Sequence, residues 1–507
     1  MSKKSTAAIP YFLLLIFLVA GIGSYRHYGM SWDEDFQYRQ NGHAVWDYIV
    51  DGDREIYEQN TEKYHGPAFE LVLVAFENLT GVSGLQAIFY QRHLLTFILF
   101  WISGVAFFLL LRKHHESVVL ISIGIGWYFL IPRIYSDAFY NTKDIPFLSM
   151  TMICLYSLYL LIDKKQKHHA IIHGCFCGLL MAIRVIGIMI PAITIGLIGY
   201  SLIFSKSEIR KSVVNLMLFL ISCIAATIIA WPILWQMPVH HFLAAWKEMS
   251  GYPFFHDVLF SGEFIPAPQL PWYYVITWIG ITTPLLYLFF MLAGIGFTIP
   301  KTISDFRKKE IPFELVYSVI VLLPLAAIWI LNGVLYDAWR HLFYIYAPLC
   351  LLMVYGLSKT LTIVKTAQSR LLIITTVIVC TLSTGYWMIK WHPYQNVYFN
   401  QLAGSDIRSK YEMDYWGLSY REALEKLAAK SDQEQLKIKV ENMPGVLNSW
   451  ILNDTIQNRF AFIDNTDSAD FYITNYRWNK NGEPPYEIVD SIVVDGERIS
   501  GTYRIEK

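Results

Sequence analysis

Residues 9–35 read IPYFLLLIFLVAGIGSYRHYGMSWDED. The apolar run from Ile9 to Gly23 makes most of a membrane helix. Three adjacent carboxylates, Asp33, Glu34 and Asp35, follow close behind it. Acids at that depth are costly unless they have a partner or a task. The reading that follows is a membrane frame holding an acidic patch at the water–lipid boundary. Lys3 and Lys4 ahead of the run also suit a signal peptide. An uncleaved first span is the better reading, because the many later spans need a starting orientation and two lysines keep the N-terminus inside.

The composition agrees. Of 507 residues, 54% are hydrophobic and only 16% are charged, against roughly 25% charged in soluble domains. Net charge is zero, so there is no global basic face for nucleic acid. The six cysteines (Cys154, Cys175, Cys177, Cys223, Cys350 and Cys380) fall in apolar runs, with neither a disulfide framework nor zinc spacing.

Apolar runs long enough to span lie near 8–25, 88–111, 117–134, 145–162, 169–184, 186–205, 212–233, 271–299, 314–331, 341–358 and 371–390, about eleven in all. Alternate loops carry basic clusters: Arg112-Lys113, Lys164 to Lys167, Lys206 to Lys211, Arg307 to Lys309 and Lys359 to Arg370. By the positive-inside rule these loops are cytoplasmic. An odd number of spans then puts Asp33 and the C-terminal tail outside a cell (inner) membrane. In the first external loop, about 26–87, Phe36 to Ile49 and Pro67 to Leu79 suggest amphipathic interfacial helices. The loop at about 234–270 is rich in Trp, Phe and Pro, as an interface cap would be. After Lys390 the chain turns polar. A helix over Leu418 to Ala429 and strands over Leu436 to Val440, Phe471 to Thr474, Ile488 to Val494 and Gly501 to Ile505 predict a small α/β domain. The expected fold is an α-helical polytopic membrane protein over residues 1–390, followed by an extracytoplasmic α/β domain over 391–507.

Three external stretches carry the chemistry. Asp33 and Glu34 read either as helix-start acids, with Asp33 an N-cap, or as a carboxylate that takes a proton. In the second loop, Arg133, Asp137, Lys143 and Asp144 crowd a short segment. Asp144 before Ile145-Pro146 fits a helix N-cap. Arg133 and Lys143 suit a lipid phosphate, which their charged donors bind directly. The third stretch is Asp337 to His341, where Arg340 and His341 either snorkel or bind substrate. Lys63, His65, Arg92 and His93 are further candidates of the same kind. Arg184, alone inside an apolar run, calls for an acid partner.

Taken together, these stretches are familiar. An Asp-Glu pair in the first external loop resembles the GT-C glycosyltransferase superfamily. The ordered set is Ser31 to Glu34, Pro132-Arg133, Asn141 to Phe147, Pro271 to Tyr274, Arg340-His341, His392 to Gln395, Tyr398 to Asn400 and Asp414 to Tyr420. It resembles the bacterial phospholipid-carrier-dependent transferases related to glycosyltransferase family 39, the protein O-mannosyltransferase family. The resemblance implies a polyprenyl-phosphate sugar donor in the lipid bilayer, inverting transfer of a hexosyl or pentosyl unit and an acidic general base. Carried over, Asp33 is the base, Glu34 its neighbour and Asp144 the second-loop acid. Arg133, Lys143 and Arg340 would meet the donor phosphate, with His341, Asp137, His65 and Lys63 around the substrate. No loop is long enough for the β-trefoil of protein-mannosylating members, so the acceptor stays open among glycan, lipid and protein. No cofactor is expected, although oxygens of Asp33, Glu34 and Asp144 suit a divalent cation. The rival class is a transporter or flippase of polyprenyl-linked or other anionic lipids. That class calls for charges in mid-span and inverted repeats, whereas here the charges cluster at external span ends and no repeat is visible.

Overall fold

The structure is a computed structural model that describes residues 8–52, 54–204, 209–251, 254–308, 310–331, 333–479 and 482–506. Lys3, Lys4, Lys206 and Lys309 of the basic-loop pattern lie outside the described residues.

Among the described residues, eight helices are long and apolar enough to cross a membrane: Leu85–His114, Asp144–Lys164, Val185–Ile203, Ile209–Ala230, Leu285–Lys308, Phe313–Ile330, Arg340–Ile363 and Ala367–Lys390. They occupy eight of the expected places. The other three differ for local reasons. The first helix, Ile9–Ser24, has 16 residues, about 24 Å at 1.5 Å per residue, which is short of a full span. The third place holds two helices, Val118–Phe129 and Pro132–Tyr140, bent by 58°. Pro132 has no N–H to continue the first helix and starts the second. The fifth, Lys167–Met181, has 15 residues and stops where Arg184 turns toward an acid.

A further break falls between Tyr274–Thr282 and Leu285–Lys308. Pro284 cannot donate to the Gly280 carbonyl. Asn400 repairs the gap: its Nδ2 donates to Gly280 O at 2.6 Å and Thr283 O at 2.5 Å, and its backbone N–H donates to Ile281 O at 2.8 Å. The chain after the last membrane helix is thereby threaded back among the helices. The innermost helix is Arg340–Ile363, with 89% of its apolar window buried, so its Arg340 end lies at the middle of the acid-bearing face.

The first loop has helices over Gln40–Val50 and Ala68–Thr80, where two amphipathic helices were expected. Buried ion pairs fasten this loop to Leu85–His114. Arg92 reaches Glu77 at 2.6 Å and also pairs with Glu70. His93 meets Glu34 at 2.7 Å. Arg92 and His93, candidates for substrate contact in the sequence, are thus engaged in these buried pairs. The cap at 234–270 contains the helix Pro238–Ser250 and a hairpin of β1 (Asp257–Phe260) and β2 (Glu263–Pro266).

The C-terminal sheet has five strands: β3 (Leu436–Val440), β4 (Phe460–Phe462), β5 (Phe471–Thr474), β6 (Glu487–Val494) and β7 (Glu497–Arg504), in the order β4-β3-β5-β7-β6. β3 pairs parallel with β4 and β5, and the other pairs are antiparallel. The helix Tyr420–Lys430 buries Leu424 and Leu427. β4 escapes the sequence because three residues are too few for an alternation to register.

Breaking a buried pair leaves an uncompensated charge. Arg92→Met strands Glu70 and Glu77 and should cost about 3–5 kcal/mol, read as a lowered thermal midpoint in detergent micelles. An unchanged midpoint would show that the first loop holds its place without this pair.

Candidate active site

The site is built around Arg340. This residue begins the innermost helix, and its side chain is 5% exposed. Its Nη1 lies 3.5 Å from Asp33 Oδ2 and 3.4 Å from Asp144 Oδ2, and its Nε donates to Asp337 Oδ2 at 3.1 Å. Three carboxylates from three separate loops therefore share one guanidinium. Its planar face lies over the rings of Trp416, at 4.8 Å, and Tyr336, at 5.2 Å, as an arginine with cation–π partners does.

Asp33 is placed by an unusual turn. The chain enters a π-helix over Glu34–Arg39, and Tyr38 N–H donates to Asp33 O at 3.1 Å. π-Turns recur at functional sites because they re-aim side chains. The Tyr38 hydroxyl then donates to Asp33 Oδ2 at 3.2 Å. Asp33 stands at the N-cap position of this turn, but its side chain makes no capping hydrogen bond. Burial holds its carboxyl above the usual carboxylate range. Arg340 opposes this, while Asp337 and Asp144 add to it. The like charges it feels are thus these two, brought from other loops.

Glu34 points the other way. It is fully buried, accepts from Ser31 N–H at 2.6 Å and pairs with His93. The sequence placed it beside Asp33 in the chemistry. The π-turn instead sends it inward, where it is a core anchor.

Asp144 opens its helix, but its side chain is not the cap expected of it. Asn141 Oδ1 accepts from the Asp144 backbone N–H at 2.8 Å. This frees the Asp144 carboxylate, which Asn141 Nδ2 steadies at 2.9 Å. One oxygen then takes Arg184, and the other faces Arg340. The acid partner that Arg184 required is Asp144.

Behind Asp144 lies a second group of cations. Lys143 is buried and donates to Gly66 O at 2.6 Å. Burial first, then Arg184, pulls its ammonium down to about 7, with Glu70, Asp144 and Glu62 opposing. Gly66 is required there, since a Cβ would overlap the Ala182 carbonyl. That contact brings the first loop, Lys143 and Arg184 together. His65 pairs with Glu62 at 2.6 Å. The His341 ring meets Tyr336 edge-on at 4.7 Å.

Three predicted residues stand apart. Arg133 donates from Nε to Tyr398 O at 3.1 Å and lies against the rings of Trp278 and Phe399 at 5.2 and 4.7 Å. It opens the helix Pro132–Tyr140, whose length carries it away from Lys143 and Asp144 at the other end. Asp137 accepts from Tyr140 at 2.8 Å, Asn141 at 3.0 Å and Trp416 at 3.3 Å, so its oxygens are spent on cross-ties. Lys63 donates to Glu58 O at 2.6 Å on the exposed surface. Sequence reasoning missed Tyr38, Asp337 as a direct partner, and Arg477, which pairs with Asp337.

Among the described residues, no three His, Cys, Asp or Glu side chains are grouped to hold a metal ion. Asp33, Asp144 and Asp337 meet a guanidinium, and Glu34 is turned away. The acid set proposed for a divalent cation therefore does not fit one as arranged here.

No family model and no curated protein matches the sequence. Solved structures match in shape. The oligosaccharyltransferase AglB from Archaeoglobus fulgidus, in complex with an inhibitory peptide and a dolichol-phosphate, gives a TM-score of 0.52 at 12% identity, over 93% of this chain and 69% of that one. The apo form of the Archaeoglobus fulgidus oligosaccharyltransferase gives 0.51 at 12% identity, over 92% and 65%. This chain thus spans about two thirds of the length of those enzymes. ArnT from Cupriavidus metallidurans bound to undecaprenyl phosphate gives 0.49 at 11% identity, over 99% and 98%. The membrane helices with their C-terminal sheet domain share the fold of these archaeal oligosaccharyltransferase structures.

Proposed function

We propose that this chain is an integral-membrane glycosyltransferase. It moves a hexosyl or pentosyl unit from a polyprenyl-phosphate donor to an acceptor hydroxyl on a glycan, lipid or protein, inverting the anomeric centre. The observation that carries the reading is the meeting of Asp33, Asp144 and Asp337 on Arg340 at the mouth of the innermost helix, with Lys143 and Arg184 immediately behind. The likeness to an archaeal enzyme captured with a dolichol-phosphate supports a lipid-phosphate carrier. The proposed setting is a cell (inner) membrane with the N-terminus in the cytoplasm and the C-terminal domain outside, on the strength of the basic loops.

In the proposed step, the acceptor oxygen attacks the anomeric carbon as Asp33 takes its proton. The bond from that carbon to the phosphate oxygen breaks, and its electron pair leaves on polyprenyl phosphate. Negative charge grows on the phosphate, so fixed cations across the sugar from Asp33 stabilise the transition state. Arg340 is occupied by three acids, so Lys143 and Arg184 are assigned to the phosphate. Arg133 is withdrawn from that role by its position, and Glu34 from the chemistry.

Asp33→Asn keeps size and loses the proton acceptor. Turnover should fall about 10²–10⁴-fold with donor binding kept, read as release of free polyprenyl phosphate from a panel of polyprenyl-phosphate sugars. Glu34→Gln should instead lower thermal stability, because it weakens a buried pair with His93. Near-normal turnover in Asp33→Asn would end the assignment and make Asp144 the next acid to test.

Lys143 supplies a pH test. A donor phosphodiester is a fixed monoanion near neutral pH and favours the protonated amine. The Lys143 value of about 7 means that protonated Lys143 is lost as pH rises through it. Donor affinity should therefore weaken as pH rises through about 7, and Lys143→Met should remove that dependence. A flat affinity in the native protein would take Lys143 out of the phosphate site.

A further inference from the structure

We propose that Arg477, on the C-terminal sheet domain, is a positioning residue of the active site, whose ion pair with Asp337 keeps Arg340 on Asp33 and Asp144. The proposal rests on the function given above and extends the site to a part of the chain that the sequence left without a role.

The geometry is a relay of two arginines through one acid. Asp337 divides its oxygens. Oδ1 takes Arg477 Nη2, and Oδ2 takes Arg340, whose Nε and Nη2 each lie at 3.1 Å. Arg340 Nη1 is left for Asp33 and Asp144 at 3.5 and 3.4 Å, the longest of its ionic contacts. If Arg477 is removed, Asp337 Oδ1 has no partner. The stable arrangement is then a two-pronged pairing of Asp337 with Arg340, which draws Arg340 toward Asp337 and off its weaker contacts.

Arg477 is held for this purpose from its own side. Its side chain is 5% exposed. Nη1 donates to Tyr415 O at 2.7 Å, and the guanidinium lies over Trp478 at 4.3 Å and Trp32 at 5.7 Å. Asn475, two residues earlier, donates to Asp414 O at 2.9 Å and accepts from Asn442 at 2.7 Å. Trp32 also touches Trp478, with ring centroids 5.6 Å apart, and Trp32 precedes Asp33.

Both ends of the ion pair are strained. Tyr476 and Trp478, flanking Arg477, have φ of 61° each, and Asp337 and Ala338 have φ of 54° and 62°. Side chains with a Cβ seldom adopt this region, least of all bulky ones. Such strain persists where the surroundings over-determine it, and it clusters at functional sites. Here two strained segments from two parts of the chain meet through the buried Arg477–Asp337 ion pair, with Glu412 Oε1 4.0 Å from Arg477 Nε.

A merely structural tie predicts a different outcome from a positioning residue, so the test uses full-length protein with Arg477→Met, Arg477→Lys and the double variant Asp337→Asn with Arg477→Met. The assay is release of polyprenyl phosphate from polyprenyl-phosphate sugars. Arg477→Met should lower kcat about 100-fold, the usual consequence of misplacing a reacting group by an ångström, while KM for the donor stays the same. Arg477→Lys, which keeps the charge without the fork, should fall between. The double variant should recover most of the lost turnover, because a neutral Asn no longer draws Arg340 away. Native kcat in Arg477→Met, or a double variant as impaired as the single one, would overturn the proposal. A cryo-electron-microscopy structure of Arg477→Met needs no substrate. It should show Arg340 Nη1 off both Asp33 and Asp144, and Arg340 still seated on both would also overturn the proposal. If no sugar donor is turned over by the native protein, the function reading fails and the variant structure alone decides the positioning claim. Should Arg477→Met not fold, Arg477→Lys carries the same measurements.

Discussion

The Arg340 guanidinium, shared among Asp33, Asp144 and Asp337, is the contact on which the acid-bearing face depends. Three carboxylates brought this close repel one another and favour protonation. A cation that cannot lose its proton relieves that repulsion, and its planar fork sets the directions from which each acid approaches. The loops that carry Asp33, Asp144 and Asp337 each donate one acid, so this one side chain registers three loops against each other. It does so at the mouth of the most deeply buried membrane helix among the described residues. The arrangement also explains why the site tolerates breaks in its helices. The chain bends at Pro132 and breaks at Pro284, and Asn400 satisfies the carbonyls that the second break would leave bare.

Much of this frame was legible in the sequence because membranes restrict the options. Long apolar runs read as helices almost without context, and eight of them are present where expected. The exceptions are places where the chain breaks inside an apolar run, and the cause is visible only residue by residue: Pro132, Pro284 and the lone charge of Arg184. The strands of the C-terminal sheet were readable where β-branched and aromatic residues alternate. The three-residue β4 was not.

The site was legible in part. Asp33, Asp144 and Arg340 could be singled out because charges at span ends are rare, although helix capping and snorkelling were open to them as well. Arg184 was readable by the same logic, since an isolated cation in an apolar run demands an acid. Glu34 and Arg133 stand apart from the acids gathered on Arg340 for one shared reason. Adjacent or nearby charges look equivalent in a sequence, and only backbone geometry separates them. A π-turn divides Asp33 from Glu34, and a helix divides Arg133 from Lys143. Arg477 was out of reach, because Asn-Tyr-Arg-Trp-Asn after a strand reads as an exposed turn. Its importance arises from a contact of 140 residues' separation, which no local pattern encodes.

The cations of the site divide by chemical type as well as by place. Arginine keeps its charge under burial and offers a fixed fork, which suits Arg340 and Arg477, whose partners are permanent carboxylates. Lysine loses its charge readily when desolvated, and Lys143 is brought to about 7 by burial and by Arg184. A group poised there can be neutral when its site is empty and charged when an anion arrives. The empty site thus avoids holding a second full charge beside Arg184 in a small buried volume, and under the proposed function the occupied site gains that charge against the donor phosphate. An arginine at 143 would give up that adjustment, since it would stay charged beside Arg184 whether or not an anion were present. The locked arginines set the geometry of the acids, and the adjustable lysine answers the ligand.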